Sequence, residues 1–308
     1  MIEKQLLHAY FDYCMFQKKL DKKTLKAYKI DMNQFFLFVE EHHHSTITRS
    51  TIESYIEHMG KRFKTSSIKR KYASIKTYFS YLEYMEHIDK NPFNKIRLRL
   101  KEESTLPRIF PMSTLELLLI DSYNEEQKAN LSDYQKFITS RNTAILELLF
   151  STGIRVSELC DLSLKHTNLA TQQILIKGKG AKERLLFLSN TEVLSAIEKY
   201  LVYRNLRLTT CENLFLNRKN ARLSDQSVRA IIKNTANRSG LSQHITPHMF
   251  RHTLATTLLD EGVDCRYIQN ILGHSSIRTT ERYTHVSLEM QKKVLLNKHP
   301  RHGLTFLR

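Results

Sequence analysis

Five large side chains, Ile68, Tyr72, Ile75, Phe79 and Leu82, recur at intervals of three and four, and the pattern then stops at Asp89-Lys90-Asn91-Pro92. That period lays one apolar stripe along a helix. Proline lacks the amide proton that a continuing helix needs and restrains the residue before it. The chain must therefore complete one helical core near residue 92 and begin another beyond it. Its 308 residues are enough for two ordinary domains.

Three more helices are expected upstream. One covers about residues 2–18. A second covers about 22–41, with Leu25, Tyr28, Met32, Phe35 and Phe36 on one face. A third runs through Ile52, Tyr55, Ile56 and Met59, with Thr48 and Ser50 as candidate caps. Residues 1–92 thus read as a four-helix domain. Residues 93–107, FNKIRLRLKEESTLP, are basic and aperiodic, so they read as a linker, an extended basic strap between the two domains. Residues 108–308 read as α+β, starting with helices at about 112–121 and 132–149. A hairpin follows, with strands at 172–178 and 184–188 and Gly178 and Gly180 freeing the turn; the remainder is helical. The fold class is mainly α with a small β-hairpin in the second domain. The stretch SYNEEQKANLSDYQKFITS separates the first helix of that domain from RNTAILELLF.

Charge narrows the partners. Lys plus Arg number 48 against 31 Asp plus Glu, a net +17, which calls for a polyanion. No apolar run approaches the roughly 20 residues that span a bilayer, and no lipidation signal or basic surface helix stands at either end, so a membrane is not expected. The N-terminus MIEKQLLHAYFDYC lacks the apolar core of a secretory signal, which points to the cytoplasm. Cys14, Cys160, Cys211 and Cys265 are widely spaced, with no CxxC pair, and read as buried reduced thiols. His42 to His44 lie in the polar run EEHHHST with no further ligand nearby in sequence, so no metal site is expected. Lys69, Arg70, Lys71 and Lys76, preceded by KRFK at 61–64, offer a basic helix face for phosphates; the plain alternative is a solvated charged surface.

Moving a phosphodiester without a metal requires cations on its non-bridging oxygens, a nucleophile, and an acid for the leaving oxygen. The segment STGIRVSELCDLS puts Arg155 at the start of a helix, with Glu158 three residues on and on the same face. In ITPHMFRHTLATTLLDEG, Thr246 is the expected N-cap and Pro247 opens the first turn, so His248 and Arg251 share one face. In DCRYIQNILGHSS, Asp264 caps a helix ending at Gly273, which leaves His274 on the turn beyond. Tyr283 follows within SSIRTTERYTHVS. Taken singly, each has an ordinary structural explanation, and Tyr283 is one of 14 tyrosines.

Taken in order, Arg155 in TGIRVSEL, Lys179 in GKGAKER, His248 and Arg251 in HMFRH, His274 in LGHSS and Tyr283 in TTERYTHV resemble the tyrosine recombinase, or phage integrase, family, and within it the bacterial Xer type. The resemblance covers the second domain residue by residue. More loosely, the first domain is similar to the family's SAM-like core-binding domain. It implies a site-specific DNA recombinase. Tyr283 would attack and become a 3′-phosphotyrosine, Arg155 and Arg251 would grip the scissile phosphate, and His248 and His274 would add hydrogen bonds. His248 could also take the tyrosine proton. Lys179 would protonate the leaving 5′ oxygen, its neighbours Lys177 and Lys182 being the rivals that a register shift would substitute. Glu158 would support Arg155, and Lys182 and Arg184 would be DNA contacts. Ionising a tyrosine of pKa about 10 at pH 7 costs roughly 4 kcal/mol, which two arginines, or proton transfer to His248, can offset.

The same resemblance implies no cofactor, no metal and no ATP. The partners would be a double-stranded recombination site and a tetramer on two sites, of one chain or with a paralogue, in the nucleoid-associated cytoplasm of a bacterium. The tail SLEMQKKVLLNKHPRHGLTFLR would dock on a neighbouring protomer or on its own domain. Chromosome-dimer resolution and mobile-element integration or excision both remain open. The competing readings are a type IB topoisomerase, which reseals the same strand, and a DNA-binding protein that keeps the fold without catalysis.

Overall fold

The computed structural model describes residues 5–98, 100, 108–178, 183–273 and 288–303. The chain divides into two compact units, Met1–Thr105 and Leu106–Arg308. In the first, α1 (Leu7–Asp12) runs into a π-helical turn, Tyr13–Gln17, and is followed by α2 (Lys22–Glu41), α3 (Arg49–Arg62) and α4 (Thr65–Tyr84). Asp21 caps α2 by accepting the Thr24 amide at 2.8 Å. Thr48 is the N-cap of α3, and Ser50 falls inside the first turn. Ile68, Ile75, Phe79 and Leu82 are buried against Met32, Phe35, Phe36, Tyr55 and Met59, so the stripe that ends before Pro92 is the core of this unit. Phe93 is buried in that core too, and the Tyr72 hydroxyl donates to the Ile96 carbonyl at 3.1 Å. Packing therefore continues past Pro92, into the first residues of the expected linker.

One expected phosphate contact is corrected here. Lys71 stands three residues after Ile68 and four before Ile75, which turns it toward the core rather than the solvent. It is 3% exposed. Its ammonium lies 3.1 Å from Asp31 Oδ1, donates to Gln34 and sits 4.7 Å above the Phe63 ring. Arg70 binds the other Asp31 oxygen. A buried carboxylate needs such compensation, and two cations from α4 supply it.

The second unit contains α5 (Met112–Gln127), α6 (Asp133–Thr152), α7 (Val156–Asp161), a 3₁₀ turn (Leu164–His166), β1 (Thr167–Asn168), β2 (Gln173–Lys177) and β3 (Glu183–Phe187). After these come α8 (Thr191–Asn205), α9 (Asp225–Arg238), α10 (Pro247–Asp260), α11 (Cys265–Leu272), α12 (Leu288–Lys298) and a closing turn, Pro300–Gly303. The sheet is antiparallel in the order β1-β2-β3, with Lys177 opposite Glu183. The expected hairpin thus gains a third strand, too short at two residues for any alternation to reveal. Helix α5 runs on to Gln127 instead of ending near Asp121, so much of SYNEEQKANLSDYQKFITS is helix and the link to α6 is short. Helix α6 is buried along most of its length and forms the axis of the unit.

Residues 288–303 of the tail pack against the rest of the second unit. Arg301, 1% exposed, donates through Nε and Nη2 to both oxygens of Glu147 on α6, at 2.9 and 2.7 Å. The Tyr123 hydroxyl donates to the same carboxylate at 2.7 Å, and His299 Nε2 lies 2.6 Å from the Ser151 carbonyl. Cys14 and Cys160 are free and buried, and Cys211 is free and half-buried. Among the described residues no helix is long and apolar enough to cross a membrane, and no cluster of His, Cys, Asp and Glu could hold a metal.

Candidate active site

Two glycines with left-handed backbone bring the site together. Gly153 (φ 59°) ends α6, and Gly273 (φ 65°) ends α11. A Cβ on Gly153 would lie 2.5 Å from Leu272 Cδ2 and 3.1 Å from Leu254 Cδ2, so glycine lets α11 and α10 close on the end of α6. Two residues after Gly153, Arg155 is the N-cap of α7, and Glu158 reaches back to accept its amide at 3.0 Å. On α10, Thr246 is the N-cap and Pro247 the first residue, which puts Arg251 one turn in. Arg251 donates to the Gly153 carbonyl at 2.8 Å and to the Leu272 carbonyl at 2.6 Å. Arg155 donates to the Gly273 carbonyl at 2.8 Å and to Glu158 Oε1 at 2.8 Å. Both forks thus meet at the C-terminal end of α11, whose last carbonyls have no helical partner and carry the negative end of the helix dipole.

Positive charge is concentrated there with little to balance it. Arg251 is 4% exposed and, among the described residues, has no carboxylate within ion-pair distance. Burial, followed by the charges of Arg155 and Arg184, lowers its pKa to about 9. Burial and the charges of Arg251, Arg229 and Arg155 depress His248 below the ordinary imidazole value, so it is neutral at pH 7 and able to accept a proton. Glu158 goes the other way. Burial pushes its carboxyl up, but the bonds from Arg184 and Arg155 outweigh that and hold it below the usual range. A guanidinium offers five donors, and only two on each of Arg155 and Arg251 are engaged by these contacts, so each fork keeps donors for an anion.

Among the residues singled out from sequence, Arg155, Glu158, His248 and Arg251 converge here, while Lys179, Lys182, His274 and Tyr283 lie outside the described residues. Arg184, expected as a DNA contact, is instead turned inward. Its side chain is 12% exposed and pairs with Glu158 at 2.7 Å. The reason is its place on β3, directly opposite Ile176 and beside α7 and the end of α11. On the first unit Lys76 is exposed, Arg70 is exposed but tied to Asp31, and Lys69 is half-buried. The buried Arg141 donates to Asn142 Oδ1 at 2.9 Å and to the Leu216 carbonyl at 2.9 Å, which ties the segment before α9 to α6; no sequence pattern marks it.

The Phage integrase family model matches residues 122–290, more than half of the chain, and the Phage integrase N-terminal SAM-like domain model matches residues 7–85. The chain belongs to the phage integrase family. This tyrosine recombinase is 46% identical over 300 residues to a tyrosine recombinase of Agathobacter rectalis, covering 97% of this chain and 98% of that one. It is 33% identical over 304 residues to the tyrosine recombinase XerC of Anoxybacillus flavithermus, covering 96% and 97%. The fold matches that of XerH site-specific recombinase bound to a palindromic difH substrate, in a post-cleavage complex, with a TM-score of 0.69 at 24% identity over 87% of this chain and 78% of the other. The SAM-like match accords with the four-helix first unit, and the catalytic match with the helical second unit and its small sheet.

Proposed function

We propose that this recombinase cuts and rejoins duplex DNA through Tyr283, with Arg155 and Arg251 holding the scissile phosphate. The observation that carries the reading is the convergence of two arginine forks on one helix end, one of them buried and, among the described residues, without a carboxylate within ion-pair distance. A dianion developing at a pentacoordinate phosphorus is the ligand such a site favours. In the proposed step the Tyr283 oxygen bonds to phosphorus while the bond to the 5′ oxygen breaks. The tyrosine proton passes to neutral His248, and the leaving oxygen takes a proton from Lys179. His274 adds a hydrogen bond to the phosphate. The 3′-phosphotyrosine link keeps the energy of the broken bond, so a 5′ hydroxyl from a second site reverses the step without ATP.

XerC-type relatives and the DNA-bound XerH support a duplex recombination site as the partner. On this reading the chain works in the bacterial cytoplasm, at the nucleoid. The domain division at 1–92, 93–107 and 108–308 then assigns the first unit to gripping the duplex, with Lys69, Arg70 and Lys76 on phosphates, and Lys182 of the second unit adds another. Four protomers, of one chain or with a paralogue, would work on two sites. The test is a suicide duplex nicked near the cleavage point, incubated in excess EDTA and run on a denaturing gel. A covalent adduct with wild type and none with Tyr283→Phe is expected; an adduct that survives Tyr283→Phe would contradict the assignment.

A further inference from the structure

We infer that Arg184 is a positioning residue for strand cleavage, one that locks Glu158 and thereby the Arg155 fork, and does not itself reach the DNA. The inference rests on the reading that Arg155 holds the scissile phosphate. Three consecutive carbonyls at the end of α11 each receive an arginine. Ile271 accepts from Arg184 Nε at 3.2 Å, Leu272 from Arg251 Nη2 at 2.6 Å, and Gly273 from Arg155 Nη2 at 2.8 Å. Arg184 is thus a third member of the cluster that holds the two phosphate-gripping forks. Its remaining donors differ in use from theirs. Nη1 reaches Glu158 Oε1 at 3.0 Å and Nη2 reaches Oε2 at 2.7 Å, a two-point clasp of the carboxylate.

Glu158 passes that constraint on. Its Oε1 accepts from Arg155 Nη1 at 2.8 Å and its Oε2 from the Arg155 amide at 3.0 Å. A carboxylate held on both oxygens by a planar fork has one orientation; freed, its χ angles open several. Arg155 would then lose the fixed acceptor that aims its outer donors. Exposure divides the labour in the same way, with the Arg155 side chain 33% exposed and that of Arg184 12%. The chain also closes tightly over Arg184, since a Cβ on Gly273 would come within 2.8 Å of its Nη1. A guanidinium engaged through Nε, Nη1 and Nη2 beneath that turn braces the site and is not placed to meet a phosphate.

The test is a double-mutant cycle of Arg184→Met and Glu158→Gln, read as the single-turnover rate of adduct formation at saturating duplex and as the duplex Kd across a salt series. Each single variant is expected to cleave roughly 10–100-fold more slowly, the effect typical of residues that orient a reacting group's partner. The double variant is expected to be no slower than the worse single one, because both act through the same carboxylate. The Kd and its salt slope are expected to match wild type, and Arg184→Lys is not expected to recover the rate, since one ammonium cannot span both oxygens and the Ile271 carbonyl. Additive defects would overturn the inference. So would weaker binding with a salt slope shallower by about 0.9, the mark of a lost phosphate contact. Loss of duplex binding together with a lowered Tm would overturn it as well, by making Arg184 a folding residue. Tyr283→Phe run alongside reports on the nucleophile separately, so the two assignments stand or fall on different lanes.

Discussion

Arg301 and Arg251 are buried to nearly the same degree, 1% and 4% exposed, yet their surroundings differ completely. Arg301 meets both oxygens of Glu147. Burial alone would lower its pKa, but the bond and charge of Glu147 outweigh burial and raise it. Among the described residues Arg251 donates to the carbonyls of Gly153 and Leu272, and burial and repulsion from Arg155 and Arg184 outweigh the charge of Glu158 and take it down to about 9. Arg301, which ties residues 299–301 to α6, has its counter-charge within the fold. A cation kept without one is costly to the fold, and that cost makes sense where a ligand brings the negative charge.

Removing either guanidinium should therefore have opposite signatures. Arg301→Ala leaves Glu147 buried and uncompensated, and is expected to cost about 3–5 kcal/mol in urea unfolding of the catalytic unit. Replacing the pair together, Arg301→Met with Glu147→Leu, should recover most of that loss, because an apolar pair needs no desolvation; a double variant as unstable as the single one would break the contrast. A smaller effect comes from His299, a tail residue packed against α6. Burial is the main reason its pKa falls from the ordinary 6.5 to about 4. The folded protein keeps it neutral while the unfolded chain takes up a proton, so stability is complete above pH 6.5 and declines as pH falls toward 4, by about 1.4 kcal/mol per unit. His299→Asn should flatten that slope in melts between pH 7 and 4. An unchanged slope would show that His299 does not set it.

The features legible in the sequence are local ones. The stripe from Ile68 to Leu82, the Thr246-Pro247 start that faces Arg251 inward, and the Gly153 and Gly273 helix ends are each written within a few consecutive residues. What was hidden is pairing over distance. Lys71 looked like one more surface lysine because Asp31 is 40 positions away, and Arg184 looked like a hairpin DNA contact because Glu158 is 26 away. Arg301 lies 154 positions from Glu147, and no periodicity links them. One signal was present: Glu147 stands alone in the apolar run AILELLF, and a lone carboxylate in such a run requires a buried partner. β1 failed for a different reason, since two residues cannot display an alternation.

On the proposed function, Arg251 keeps its charge for the scissile phosphate. The direct measurement compares adduct formation by wild type and Arg251→Ala on two suicide duplexes, one natural and one with a methylphosphonate, which is neutral, at the cleavage point. On the natural duplex the variant is expected to be slower by roughly 10²–10³-fold, the typical loss of one charge-stabilising donor. On the neutral duplex most of that deficit should vanish, because the negative charge that Arg251 balances is gone. An equal deficit on both duplexes would contradict the claim and place Arg251 with Arg301, as a cation that serves the fold.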